Sequence, residues 1–178
     1  MLAGALCRLR AWTAADATVV QPIADDPLVA RWMSRHFPSP YSRADAEAWI
    51  ASVGRDDPPN HFAIDVDGTL AGGIGIVPDA WDYAGVAHIG YWLGRRFWGR
   101  GIATDAARTI ARYAFETRRL RRLETSVYAP NVASARVLEK AGFTLEGRLR
   151  ASITLRDGKV YDRLLYARLA SDPERPSP

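Results

Sequence analysis

Apolar and polar positions change period several times along the chain, and each change marks an element. Leu6 to Trp12 alternates loosely and predicts a first strand. Thr13 and Asp16, ahead of Ala-Thr-Val-Val, form a helix-start signal. The helical region they open runs toward Met33 and is broken by Pro22 and Pro27. Pro38 and Pro40 mark a loop, and Ser42-Arg-Ala-Asp45 then predicts a capped helix to about Val53. Asp56 to Asn60, with paired prolines, reads as a linker turn. Alternation from His61 to Asp67, the Asp67-Gly68 pair and the run from Thr69 to Val77 predict a β-hairpin. Pro78 to Gly85 is a loop carrying Trp81 and Tyr83, and the next strand spans Ala87 to Leu93.

The period then lengthens. Ala103, Ala106, Ala107, Ala111 and Ala114 recur through a segment ending near Thr117, which predicts a helix lying close against a sheet. A strand from Leu123 to Tyr128 ends at Pro130-Asn131. Asn131 and Gly142 have the chemistry of an N-cap and a C′ residue for the helix between them. Phe143 to Ile153 and Lys159 to Leu169 form two final strands around Asp157-Gly158. Ser171 to Pro178 is polar and proline-rich, which predicts a disordered tail. There is no repeat and no second hydrophobic unit, so residues 1–170 read as one domain.

Composition narrows the class. At 178 residues, 48% hydrophobic and 25% charged, the chain can bury a real core and is ordinary for a soluble domain. No apolar run approaches membrane-spanning length, and the start lacks a signal-peptide pattern. Cys7 is the only cysteine, so no intrachain disulfide is possible and a cytoplasmic location is expected. The net charge of +4 is almost all arginine, since Lys140 and Lys159 are the only lysines. The densest basic run, Arg118-Arg119-Leu-Arg121-Arg122, falls at a helix end, where cations complement the dipole. Aromatics do not interleave with it, which argues against nucleic acid. Oligomeric state is left as monomer or homodimer.

The densest chemistry is Arg96-Phe97-Trp98-Gly99-Arg100-Gly101-Ile102-Ala103, between a predicted strand and a predicted helix. Gly99 and Gly101 allow a sharp turn and close backbone approach to a ligand. The helix start supplies its positive dipole end, and Arg95, Arg96 and Arg100 supply forked donors suited to phosphate. The loop reads as a pyrophosphate cradle. A dinucleotide turn is the weaker reading, because Glu124 stands near the start of the next strand rather than its end.

Arg96-x-x-Gly99-x-Gly101-x-Ala103 resembles the signature of the GNAT superfamily of acetyl-CoA-dependent N-acetyltransferases. His88-Ile-Gly-Tyr-Trp-Leu93 resembles that family's central strand, and Asn131-Val-Ala-Ser134 with Gly142-Phe143 its late helix and turn. The closing Asp157-Gly158 turn and Tyr161–Tyr166 strand are similar to the RimJ/RimL-like branch. The resemblance runs from Leu6 to about Leu169. It implies an α/β (α+β) GNAT fold, with a mixed, mostly antiparallel sheet of six to seven strands and helices on both faces. It further implies acetyl-CoA as cosubstrate and no metal. The cofactor-binding residues it implies are Tyr91, Trp92, Leu93, Arg95, Arg96, Gly99, Arg100, Gly101, Ile102, Ala103, Asn131 and Ser134. Backbone N–H groups near Tyr91 to Leu93 would polarise the thioester carbonyl.

Proton transfer is less determined. His88 stands where RimJ/RimL-like proteins commonly carry a glutamate; it serves either as a base or as a hydrogen-bonded surface histidine. The tyrosine that many relatives place seven residues after the late-helix asparagine is Leu138 here. Ser134 is the alternative acid, and as an N3 residue it is equally a capping partner. Trp32, Met33, His36, Phe37, Tyr41, Trp81 and Tyr83 are candidates for an acceptor cleft, with Trp32 and Phe37 also reading as core. The acceptor expected is a protein N-terminal α-amine; polyamines, amino acids and antibiotics stay open, as does a non-catalytic acyl-CoA sensor.

Overall fold

The computed structural model describes residues 1–173, so the end of the predicted tail, 174–178, lies outside the described residues. The strands are β1 (Leu2–Ala3), β2 (Arg8–Arg10), β3 (His61–Val66), β4 (Thr69–Pro78), β5 (Val86–Leu93), β6 (Arg122–Tyr128), β7 (Thr144–Thr154) and β8 (Val160–Leu169). The helices are α1 (Asp16–Ala24), α2 (Pro27–Ala30), α3 (Arg43–Val53), α4 (Ile102–Arg112) and α5 (Val132–Lys140). One sheet of eight strands has the order β1-β2-β3-β4-β5-β6-β8-β7. The strand beyond the expected seven is the two-residue β1, too short to leave a pattern.

Every neighbouring pair is antiparallel except β5 and β6, which run parallel over only Val86↔Arg122, Ala87↔Leu123 and His88↔Glu124. Beyond that register no β5–β6 pairs form, and a gap is left in the middle of the sheet. Two clusters fill the two faces. Ile89, Leu93, Leu123, Phe143 and Tyr166 pack with Ile110 and Ala107 of α4 and Leu138 of α5 on one side. Val20 of α1, Ile50 of α3, Trp12, Tyr41 and Trp92 pack on the other.

Local chemistry explains most boundaries. Ser42 and Asp45 form the reciprocal cap of α3. Asn131 caps α5 by accepting from the Ser134 N–H. Gly142, at φ +93°, ends that helix while the Phe143 N–H returns to the Leu138 carbonyl. Two expectations need correction. Pro22 does not break the first helix: it lies inside α1, exposed like Thr18 one turn before it, and the break falls at Asp25–Asp26 before Pro27. The long helix is α-helical only to Arg112 and widens into a π turn over Tyr113–Thr117. At the end of the described residues, Asp172 closes a turn by accepting from the Leu169 N–H.

Candidate active site at the strand gap

Gly94 donates its N–H to the Ala71 carbonyl of β4. Antiparallel pairing alternates, so His88, Gly90 and Trp92 also direct their backbone groups at β4. Tyr91 and Leu93 therefore present their N–H groups to the gap. The Leu93 carbonyl accepts from the Trp98 indole at 2.8 Å, which ties the strand end to the glycine loop.

At that loop, Gly99 and Gly101 hold φ +72° and +78°, backbone territory costly for other residues. A Cβ on Gly99 would meet nothing within 4 Å, whereas one on Gly101 would come to 3.1 Å from Leu6 Cδ1. Gly101 is the N-cap of the eleven-residue α4 and supplies no side-chain cap, so the first N–H groups there are open to a ligand. Ile102 is buried and Ala103 half-buried, so their contribution is backbone N–H. Arg96 and Arg100 are exposed and lie over the Phe97 ring, at 4.7 and 5.7 Å. Arg95 instead pairs with Asp26 at 3.2 Å. A diphosphate fits this loop: open space, left-handed glycines, a helix start and two uncommitted guanidinium groups coincide.

Side chains divide by strand alternation. Tyr91 points to the face of α5, where its hydroxyl lies 2.8 Å from Ser134 Oγ and donates to the Ser134 carbonyl at 3.3 Å. Burial pushes the Tyr91 phenol up to about 12, partly offset by the Ser134 contact, so it stays protonated at neutral pH. Asn131 is occupied as the cap. Leu138 is fully buried in the core.

His88, Gly90 and Trp92 share the opposite face with Glu124 and Ser126 of β6. His88 stands at the last paired register, with Nε2 3.4 Å from Asp79 Oδ2 and Nδ1 3.8 Å from Glu124 Oε1. Glu124 accepts from Arg122 Nε at 2.6 Å, and the same guanidinium donates to both Glu146 oxygens at 3.0 and 2.6 Å. These hydrogen bonds push Arg122 further up and hold the Glu146 carboxyl low. Asp79, Tyr83, Val86, His88, Arg122 and Glu124 line a cleft of about 420 Å³. Of the aromatic candidates, Phe37 contacts Tyr41 at 4.9 Å and Trp92 at 5.9 Å as part of the second core cluster, and only Tyr83 lines this cleft. Trp32 and Met33 are half-buried, with Arg31 over the Trp32 ring at 4.7 Å, and His36 is exposed. Trp81 is 93% exposed and, at φ +57°, sits on the loop that delivers Asp79 and Tyr83.

Cys7 is buried beside Asp105, and burial pushes its thiol up to about 12, which rules it out as a nucleophile at neutral pH. Sequence reasoning did not find Asp79, Arg122, Glu124 and Glu146 around His88, nor the Tyr91–Ser134 contact. The signal available for Glu124 was that its strand and that of His88 start in step.

The family description "Acetyltransferase (GNAT) domain" matches residues 7–144. The chain is 42% identical over 89 residues to a protein of Bacillus subtilis (strain 168) named probable N-acetyltransferase YjcK. That alignment covers 50% of this chain and 49% of the relative. It is 36% identical over 84 residues to the ribosomal-protein-serine acetyltransferase of Escherichia coli (strain K12), covering 47% and 46%. Each alignment thus spans about half of the relative. Among solved structures, Mycobacterium smegmatis RimJ in complex with CoA-disulfide superposes with a TM-score of 0.80 at 25% identity, over 94% of this chain and 87% of that one.

Proposed function

The chain belongs to the acetyltransferase (GNAT) family, and we propose that it transfers the acetyl group of acetyl-CoA directly to a primary amine, the α-amine of a protein or peptide N-terminus. The observation that carries the reading is the arrested pairing of β5 and β6, which leaves the Tyr91 and Leu93 N–H groups facing a gap beside a diphosphate-shaped loop. Acetyl-CoA, when bound, supplies an activated acetyl thioester. Gly99, Gly101, Ile102 and Ala103 would hold its phosphates by backbone N–H groups, with Arg96 and Arg100 alongside. Tyr91 and Leu93 hold N–H donors where carbonyl charge develops.

His88 takes the proton of the attacking amine on Nδ1, directly or through a water, because Glu124 at 3.8 Å is beyond hydrogen-bond distance of that nitrogen while Asp79 stands 3.4 Å from Nε2. Ser134 gives a proton to the leaving sulfur, and Tyr91 replenishes its hydrogen bond from the other side. No protein nucleophile is needed. The α-amine is favoured over lysine because its pKa is roughly 7.7–8.0 against about 10.4, so far more of it is neutral near pH 7.5. The name of the E. coli relative, which specifies a ribosomal protein, supports the same acceptor class. Mass spectrometry of products from a library of peptides, polyamines and aminoglycosides tests the choice. Acetylated peptide N-termini are expected; exclusive acetylation of a polyamine or aminoglycoside would overturn it.

A further inference from the structure

Arg163 lies on β8, in the register that places it beside Tyr128 of β6 and on the His88 face of the sheet. It is half-buried, yet its guanidinium meets no carboxylate among the described residues. Its Nε donates to Ser152 Oγ at 3.2 Å and its Nη1 to Ser126 Oγ at 3.3 Å. The adjacent carboxylate, Asp162, points the other way and is consumed by Arg148 Nε at 2.6 Å and the Ala151 N–H at 2.8 Å. Two neutral hydroxyls orient the fork without neutralising it, and its Nη2 group is left for something else. A half-sequestered guanidinium is a strong donor to an anion, and its planar fork matches a carboxylate.

The surroundings say where that anion comes from. Ser126 is two residues past Glu124, the last β6 residue paired with β5, so the guanidinium stands at the edge of the gap. Opposite it, a Cβ on Gly90 or on Gly147 would meet nothing within 4 Å. The far side of this groove is closed by the β7–β8 turn. Arg156 of that turn donates to the Ser34 carbonyl at 2.9 Å and to the Phe37 carbonyl, and Arg35 donates back to the Leu155 carbonyl at 3.4 Å. One end of the groove carries Asp79 and Glu124 around His88, with Arg122 shared between Glu124 and Glu146, and the other carries the unneutralised Arg163. Although Arg163 pairs with Tyr128, its guanidinium reaches back to Ser126, two residues and about 7 Å along the strand from Glu124, a span that about six bonds cover.

We propose that Arg163 is the anion-recognition residue of the acceptor groove, selecting an α-amine that carries a carboxylate about six bonds away. This rests on the α-amine reading above and specifies it. An acidic side chain at the second position of a peptide meets the geometry, and so does the free C-terminus of a dipeptide. The shared chemistry is the carboxylate.

The test compares Ser-Asp-Ala-amide and the free dipeptide Ser-Ala with Ser-Asn-Ala-amide and Ser-Lys-Ala-amide, in the wild type, Arg163→Gln and Arg163→Lys. The readouts are kcat/KM from thiol release and, separately, calorimetric binding of Ser-Asp-Ala-amide to the protein with CoA. Wild type should favour the carboxylate-bearing acceptors at least about tenfold, as a charge-assisted contact predicts. The ratio should fall to about one in Arg163→Gln, while Arg163→Lys keeps part of it and serves if the glutamine variant does not fold. Preference for only one of the two carboxylate acceptors identifies its source. Wild-type turnover without a carboxylate preference, or a preference that survives Arg163→Gln, overturns the proposal and leaves the α-amine reading standing. Arg163-dependent binding with no turnover of any peptide overturns the α-amine reading and keeps the carboxylate site.

Discussion

The Tyr91 hydroxyl of the central strand and the Ser134 hydroxyl of the following helix lie 2.8 Å apart, though 43 positions separate them in the chain. Ser134 thus has a partner that the cap of α5 does not explain, since its cap contact uses the backbone N–H and leaves the side chain free. Burial keeps the phenol protonated, so it can donate to the serine when the serine gives up its own proton.

Ser134→Ala should lower kcat on the order of 100-fold with acetyl-CoA affinity retained. Tyr91→Phe should lower it about tenfold, the worth of one oriented hydrogen bond. The double variant should lose no more than Ser134→Ala alone, because both act through one proton. Additive losses in stopped-flow single turnovers would separate the two residues.

The glycine loop gives a prediction with an internal control. Gly68 in the β3–β4 turn and Gly99 in the loop share φ near +79° and +72°, and a Cβ on either meets nothing within 4 Å. Alanine at each should cost similar backbone strain, about 1–2 kcal/mol. Only Gly99→Ala should also weaken acetyl-CoA, because its methyl occupies the space left for the phosphates. Gly101→Val adds the 3.1 Å clash with Leu6 and should abolish binding. Calorimetric titration of the three variants checks this, and equal weakening by Gly68→Ala would refute it.

Asp16 governs acid stability. It is buried, accepts from Arg10 at 2.7 and 2.8 Å and from the Thr13 N–H at 2.8 Å. Burial pushes its carboxyl up, but the bonds from Arg10 and Thr13 outweigh that and hold it below the usual range. A carboxyl lowered by folding stabilises above its unfolded pKa of about 3.9 and loses that contribution as pH falls through the folded value. Asp16→Asn should therefore cost about 2 kcal/mol at pH 7 in urea unfolding. The gap from wild type should close as pH falls below about 4.

Seven strands, the α3 cap, the Asn131 and Gly142 boundaries and the loop glycines were legible because each is set by residues within a turn of one another. Pro22 misled because its effect depends on which side of the helix meets water. Glu124 could be seen but not assigned, since only the parallel register puts it across from His88. Asp79 arrives on a loop, and Glu146 reaches Arg122 across the intervening strand β8. Nothing local in the sequence marks Arg163, because the neighbouring Asp162 turns to Arg148 and the guanidinium meets two serine hydroxyls instead.

His88 offers the sharpest test of the chemistry, because a single substitution can remove the base or exchange it for another. If it removes the amine proton, His88→Ala should lower kcat about 100-fold or more while acetyl-CoA binding, on the other side of the gap, changes little. His88→Glu should recover much of the rate, since a carboxylate at this register would also face the amine. A carboxylic acid is intrinsically a stronger acid than an imidazolium. Activity requires the deprotonated base, so it is lost as pH falls, and the acid limb of kcat/KM should move to lower pH in His88→Glu. Using one acceptor for both proteins removes the titration of the amine from the comparison. Superimposable profiles, or full activity in His88→Ala, would reduce His88 to a surface histidine held between Asp79 and Glu124.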